Sequence, residues 1–152
     1  MACSSSSPRP RGARVIATAS AKKADRIRDY GASEVLDYHG DWPALVREII
    51  GGGAPKAANA APEQAATTLK AVADGGRLAT ITGDPPREER GVTVSDVYVR
   101  PDGRQLSALA ELLAHGTLSV PIASVRPLEQ AAQALREVVA GADGAIVLSL
   151  RA

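Results

Sequence analysis

From Arg14 onward, short apolar runs alternate with stretches whose apolar side chains recur every three or four positions. The run RVIATA (14–19) is rich in β-branched residues and predicts a strand. Ser20 then stands as the N-cap of a helix over about 21–30, with Ala24, Ile27 and Tyr30 along one edge and Gly31 as its stop. SEVLDY (33–38) predicts a second strand. Asp41 caps a helix in which Trp42, Leu45, Val46, Ile49 and Ile50 follow the i, i+3, i+4, i+7, i+8 rule, and the glycines at 51–53 end it. KAANA (56–60) reads as a third strand of weak propensity, because it is rich in Ala. A helix opening at Pro62 turns Ala65, Leu69 and Val72 inward and stops at Gly75–Gly76. RLATITG (77–83) and VTVSDVYV (92–99) predict strands on either side of a charged loop, DPPREERG (84–91). A helix over 103–115 follows, through Leu106, Leu109, Ala110 and Leu113. The chain closes with the strand LSVPIASV (118–125), whose Pro121 favours a sheet edge, a helix over about 127–140, and the strand AIVLSL (145–150).

Strands that alternate with helices of this length imply βαβ units and a mostly parallel sheet. Right-handed crossovers between parallel neighbours then give an open, doubly wound α/β domain. Residues 1–12, made of Ser, Pro, Arg and Gly with almost nothing to bury, are expected to form a disordered tail.

Composition changes this picture in three ways. Apolar residues make up 45% of the 152 positions but aromatics only 3%, with no Phe, so the core must be built from Ala, Val, Leu and Ile. Eighteen Lys and Arg against 17 Asp and Glu leave a net charge of +1, which argues for neither a nucleic-acid nor a membrane partner. The single cysteine, Cys3, allows no disulfide framework and no zinc cluster. With no signal peptide and no apolar run near ~20 residues, a cytoplasmic protein is the expectation.

Ligands of an open α/β sheet bind beyond the carboxyl ends of its strands. After the first strand come Ser20, Lys22 and Lys23; after the second, Asp37, Tyr38 and His39. Asn59 and Ala60 follow the third strand, Gly83 and Asp84 the fourth, and Tyr98, Val99 and Arg100 the fifth. A helix N-terminus favours anions, and Ser20, Lys22 and Lys23 add a hydroxyl and two ammonium groups there. No carboxylate stands at the Ala17–Ser20 strand end, where one would bond the ribose 2′-hydroxyl of NAD, so a 2′-phosphate would be accepted and NADP preferred. The alternative is that Ser20 is an N-cap and the lysines a solvated helix face. His115 reads as a helix C-terminal cap and His39 as a loop residue, in no metal-ligand spacing. Asp84, Arg87, Glu88, Glu89 and Arg90 read as a solvated loop or a lid. No catalytic motif and no G-x-G-x-x-G occurs.

The stretch GARVIATASAKKADRIRDYGASEVLDY resembles the medium-chain dehydrogenase/reductase superfamily, in particular its zinc-free quinone oxidoreductase branch. GGRLATITG is similar to that family's strand leading to the nicotinamide, and the segment from VYVRPDG to AIVLSL, with its P-L-x-x-A-x-x-A helix, to its C-terminal end. The resemblance covers 12–150. It implies NADPH-dependent reduction of a quinone, enone or similar conjugated carbonyl. It places Ser20 and Lys23 on the 2′-phosphate and Tyr38 along the adenosine. Asn59 and Ala60 would border the nicotinamide ribose, and Gly83 would let the backbone approach the nicotinamide. No residue is assigned a catalytic or metal-binding role.

Against intact members, the resemblance implies a domain lacking its first strand and glycine loop. The expected organisation is a tail at 1–12, a partial NAD(P)-binding Rossmann-like domain at 13–117, and a catalytic-domain-type segment at 118–152. The two last strands would then need a new partner, as would the inner edges beside the missing strand. Two functions follow from this. One is an NADPH-dependent oxidoreductase, alone or with a second copy or partner chain supplying the missing half. The other is a non-catalytic fragment, or a dimerisation or binding module that retains only the fold.

Overall fold

A computed structural model describes residues 13–150 of the chain. The tail expected at 1–12, with Cys3, lies outside the described residues. Two compact units part after Asp102.

In the first unit the elements are β1 (Ile16–Ala19), α1 (Ala21–Asp29), β2 (Glu34–Asp37), α2 (Trp42–Ile50), β3 (Ala54–Asn59), α3 (Ala65–Ala71), β4 (Val72–Thr80) and β5 (Thr93–Asp96). β1 pairs parallel with β2, Ile16 opposite Glu34, as a two-stranded sheet. A second sheet has the order β3-β4-β5, again all parallel. Asp41 caps α2 by accepting a hydrogen bond from the Ala44 N–H at 3.3 Å, Pro43 occupies the first turn, and Gly51 ends the helix at φ +66°.

Two clusters hold this unit together. Leu69, Val72, Leu78 and Val92 are buried with Ala57 and Val94 against them. Trp42, Val46 and Ala71 are buried with Ile16, Leu36 and Ala54 against them, so α2 covers strands of both sheets. Leu45 and Ile50, expected inward on α2, are exposed: the stripe is wider than the face that finds cover.

The helix expected from Pro62 to Gly75–Gly76 is shorter at both ends. Gln64 is its N-cap, and Val72 already has an extended backbone. Gly75–Gly76 therefore lies within β4. A Cβ on Gly76 would meet the Val72 side chain at 2.7 Å and the Pro55 carbonyl at 3.0 Å, so the glycine is required by the close approach of β3 and not by a helix end. The carbonyls released at the end of α3 are taken by two arginines. Arg90 donates to Leu69 and Val72 at 2.7 and 2.9 Å and to the Asp74 carboxylate at 2.7 Å. Arg47 donates to the Val72 carbonyl at 3.0 Å. Arg90 is thus a structural clamp and not a member of a solvated loop. Glu88 in the same loop accepts the Val94 N–H at 2.9 Å.

The second unit contains α4 (Gly103–Ala114), β6 (Ile122–Pro127), a 3-10 turn at Leu128–Gln130, α5 (Ala131–Val139) and β7 (Ala145–Ser149). β6 and β7 pair parallel with each other, Val125 opposite Val147. These strands, expected to need a new partner, take each other, because α5 gives a crossover long enough for parallel pairing. Arg126 on β6 holds Glu137 on α5 through two guanidinium nitrogens, at 2.7 to 3.1 Å. His115 meets its expected place, its ring Nδ1 lying 2.7 Å from the Glu111 carbonyl in the last turn of α4.

Candidate functional site

β2 runs into α2 and α2 into β3 through short turns, with α2 packed on strands of both sheets. The chain therefore goes up β2, back along α2 and up β3. Within each sheet of the first unit the strands run parallel, so their carboxyl ends lie together at one edge of that sheet. The six residues to which the resemblance gives cofactor roles follow these strand ends, in two groups.

The first group follows β1 and β2. Ser20 is the N-cap of α1 with an extended backbone, yet its hydroxyl makes no capping hydrogen bond; only its carbonyl is engaged, by the Lys23 N–H at 2.9 Å. Lys23 is exposed in the first turn of α1, where no acidic residue stands. Tyr38 is half exposed, and its ring lies on that of His39 with centroids 3.9 Å apart. Asp37 is turned to His39 as well. It accepts the His39 backbone N–H at 3.0 Å and sits 2.8 Å from the ring Nδ1. The backbone hydrogen bond first, then the ring, hold the Asp37 carboxyl below its ordinary pKa.

The second group follows β3 and β4. Asn59 is buried at the end of β3, and its amide N–H groups donate to the Ala61 carbonyl, Thr80 Oγ1 and Thr82 Oγ1 at 3.1, 3.3 and 3.1 Å. Its Oδ1 accepts from the Ala61 N–H at 3.4 Å and from the Thr68 hydroxyl at 3.5 Å. Thr82 donates to Asp84, whose other oxygen accepts the Glu63 N–H at 3.0 Å. Ala60 is exposed between these groups. Gly83 has φ +73°, a conformation that favours glycine, and no atom would meet a Cβ there. The network ties the loop after β3 to the loop after β4 and fixes both. Sequence reasoning found Asn59 and placed Asp84 at the end of the fourth strand, but missed Thr68, Thr80 and Thr82. The Thr-x-Thr spacing at 80 and 82 was its one sequence signal.

Another concavity, of about 380 Å³, lies in the second unit between Ser124, Arg126, Glu137 and Ile146. It contains none of the residues singled out above, and two of the charges that line it, Arg126 and Glu137, are paired with each other.

The family model described as zinc-binding dehydrogenase matches residues 30–148. The chain belongs to the zinc-binding dehydrogenase family. Among solved structures it is similar to an NAD-dependent alcohol dehydrogenase, at 30% identity and TM-score 0.77, over 92% of this chain and 45% of that one. A mycobacterial quinone oxidoreductase is 26% identical with TM-score 0.71, over 89% of this chain and 48% of that one. A quinone oxidoreductase from Pseudomonas syringae pv. Tomato DC3000 is also 26% identical with TM-score 0.71, over 90% and 49%. A further mycobacterial structure, complexed with NADPH, is 25% identical with TM-score 0.65, over 89% and 48%. No curated protein matches. This family member spans less than half the length of each of these structures, and its α/β fold is the Rossmann-like part of theirs. The metal in the family's description does not fit: among the described residues no three His, Cys, Asp or Glu side chains are grouped to hold an ion.

Proposed function

We propose that this chain is the cofactor-side portion of an NADPH-dependent oxidoreductase of the quinone or enone reductase type. The observation that carries the reading is the α1 corner. The Ser20 hydroxyl is not used for capping, Lys23 adds a positive charge in the first helical turn, and Ala17–Ala19 offers no carboxylate to repel a 2′-phosphate. Tyr38 offers an exposed ring for the adenosine, and the Asn59 network holds Ala60 and Gly83 in place for the nicotinamide end. When bound, NADPH supplies the hydride; the residues named here bind and orient it. The NADPH-bound relative supports the choice of cofactor, and the two quinone oxidoreductases support the substrate class. A cytoplasmic location agrees with this reading. A second copy or a partner chain would complete the substrate cleft.

A second reading is a binding or dimerisation module that retains only the fold. It is the reading that remains if the α1 corner holds no cofactor. Calorimetric titration with NADPH separates the two. Saturable binding that Lys23→Ala weakens by about tenfold to a hundredfold, with little change for NADH, is the result expected of a 2′-phosphate contact. No saturable binding at millimolar NADPH leaves the module reading, and equal weakening of both cofactors removes the role of Lys23.

A further inference from the structure

β2 ends in a carboxylate. Asp37 is its last residue and stands opposite Ala19 in the parallel register, so its Cα lies about 4.8 Å from that of the residue preceding Ser20. A carboxylate at this place works against the cofactor reading above, on which this inference rests. A 2′-phosphate carries about two negative charges at neutral pH. A bare carboxylate repels it, and accepts a hydrogen bond from a free 2′-hydroxyl instead. Left bare, Asp37 would turn the α1 corner towards NADH.

Asp37 is covered by the residue two places on. Its Oδ1 accepts the His39 backbone N–H at 3.0 Å and lies 2.8 Å from the His39 ring Nδ1. An ionised carboxylate can only accept, so the Nδ1 proton sits on the ring and is shared with Asp37. The ring is held from a second side by Tyr38, with centroids 3.9 Å apart and planes tilted by 32°. The other carboxylates of α1, β2 and the turn after it are engaged or distant. Asp25 takes Arg28 at 2.7 Å, Glu34 takes Arg14 at the start of β2, Asp41 caps α2, and Asp29 stands at the far end of α1. Asp37 is therefore the acidic group beside the corner, and His39 is the side chain that touches it.

We propose that His39 is a positioning residue for cofactor choice. It holds the Asp37 carboxylate through Nδ1 and offsets part of its charge, so that the corner of Ser20, Lys23 and Tyr38 takes a cofactor carrying a 2′-phosphate. The role needs no contact between His39 and the phosphate. Removing the ring also disturbs Tyr38, the seat offered to the adenosine. The adenosine is common to NADPH and NADH, so that loss falls on both cofactors and cancels in their ratio.

The test is calorimetric titration of the full chain with NADPH and with NADH, for the unchanged protein, His39→Ala, Asp37→Asn and the double variant. Both side chains are exposed, so neither substitution opens the core. His39→Ala is expected to lower the ratio of NADPH to NADH affinity by about threefold to tenfold. Asp37→Asn removes the charge and should keep or raise the ratio. In the double variant it should restore the ratio to within about twofold of the unchanged protein. A ratio that His39→Ala leaves unchanged, or a lowered ratio that Asp37→Asn fails to restore, overturns the role of His39 and leaves the cofactor reading standing. Absence of saturable NADPH binding by the unchanged protein overturns that reading and the role of His39 with it.

Discussion

Between Ala13 and Asp102, α2 and α3 bury side chains against parallel strands, and Leu78, Val72 and Val92 are almost fully enclosed. Between Gly103 and Leu150, the described helices have equally regular apolar stripes, yet Ala134 is the one hydrophobic residue counted in the buried core. Leu106 on α4 is 69% exposed, Leu135 on α5 is 64% exposed and Val139 is 82% exposed. Periodicity made helices in both regions. Only in the first did the connections bring enough strands under them to cover the stripe. A two-stranded sheet with one crossover helix has too little area for a core, so the second unit holds its shape by the β6–β7 ladder and the Arg126–Glu137 clamp.

The contrast can be broken most directly by the same substitution in each region. Leu78→Ala should cost about 3 kcal/mol in urea unfolding, from lost burial and the cavity left behind. Leu106→Ala should cost less than about 0.5 kcal/mol, because its side chain is already wet. Equal losses would mean that α4 is covered in solution and that the contrast is false. A smaller effect sharpens how the first unit is closed. Arg90→Ala removes hydrogen bonds to Leu69, Val72 and Asp74 and should cost about 1–3 kcal/mol in the same assay, whereas a solvated loop residue would cost nothing measurable. The smallest effect lies at the exposed edge of β2. The Asp37 carboxyl should titrate by NMR below 3.8, and His39→Ala should raise the midpoint only part of the way, because the backbone N–H remains. A depressed folded pKa stabilises above the unfolded value and loses that contribution as pH falls through the folded one, so any effect on stability fades below pH 3.8.

The order of strands and helices was legible because each has its own period. The Asp41 cap, the Gly51 stop and the α1 corner were legible because caps and strand ends are local. The end of α3 was not. Gly75–Gly76 looked like a helix stop, but the helix gives way at Val72, where Arg90 and Arg47 take the carbonyls from 18 and 25 residues away. Arg90 could not be told from its charged neighbours, since a clamp and a solvated side chain differ only in what lies across from them. Asn59 was visible as a strand-end residue; the three threonines and Asp84 that fix it come from other elements and share no spacing with it.

The residues alone determined the α/β alternation, the parallel direction of the strands and which residues leave each strand, because these follow from near neighbours along the chain. Tertiary structure alone decided that the strands divide into three sheets and that β6 and β7 take each other as partners. Those outcomes depend on which backbone groups meet across space, and a hydrogen bond between strands carries no mark in the side chains of either one.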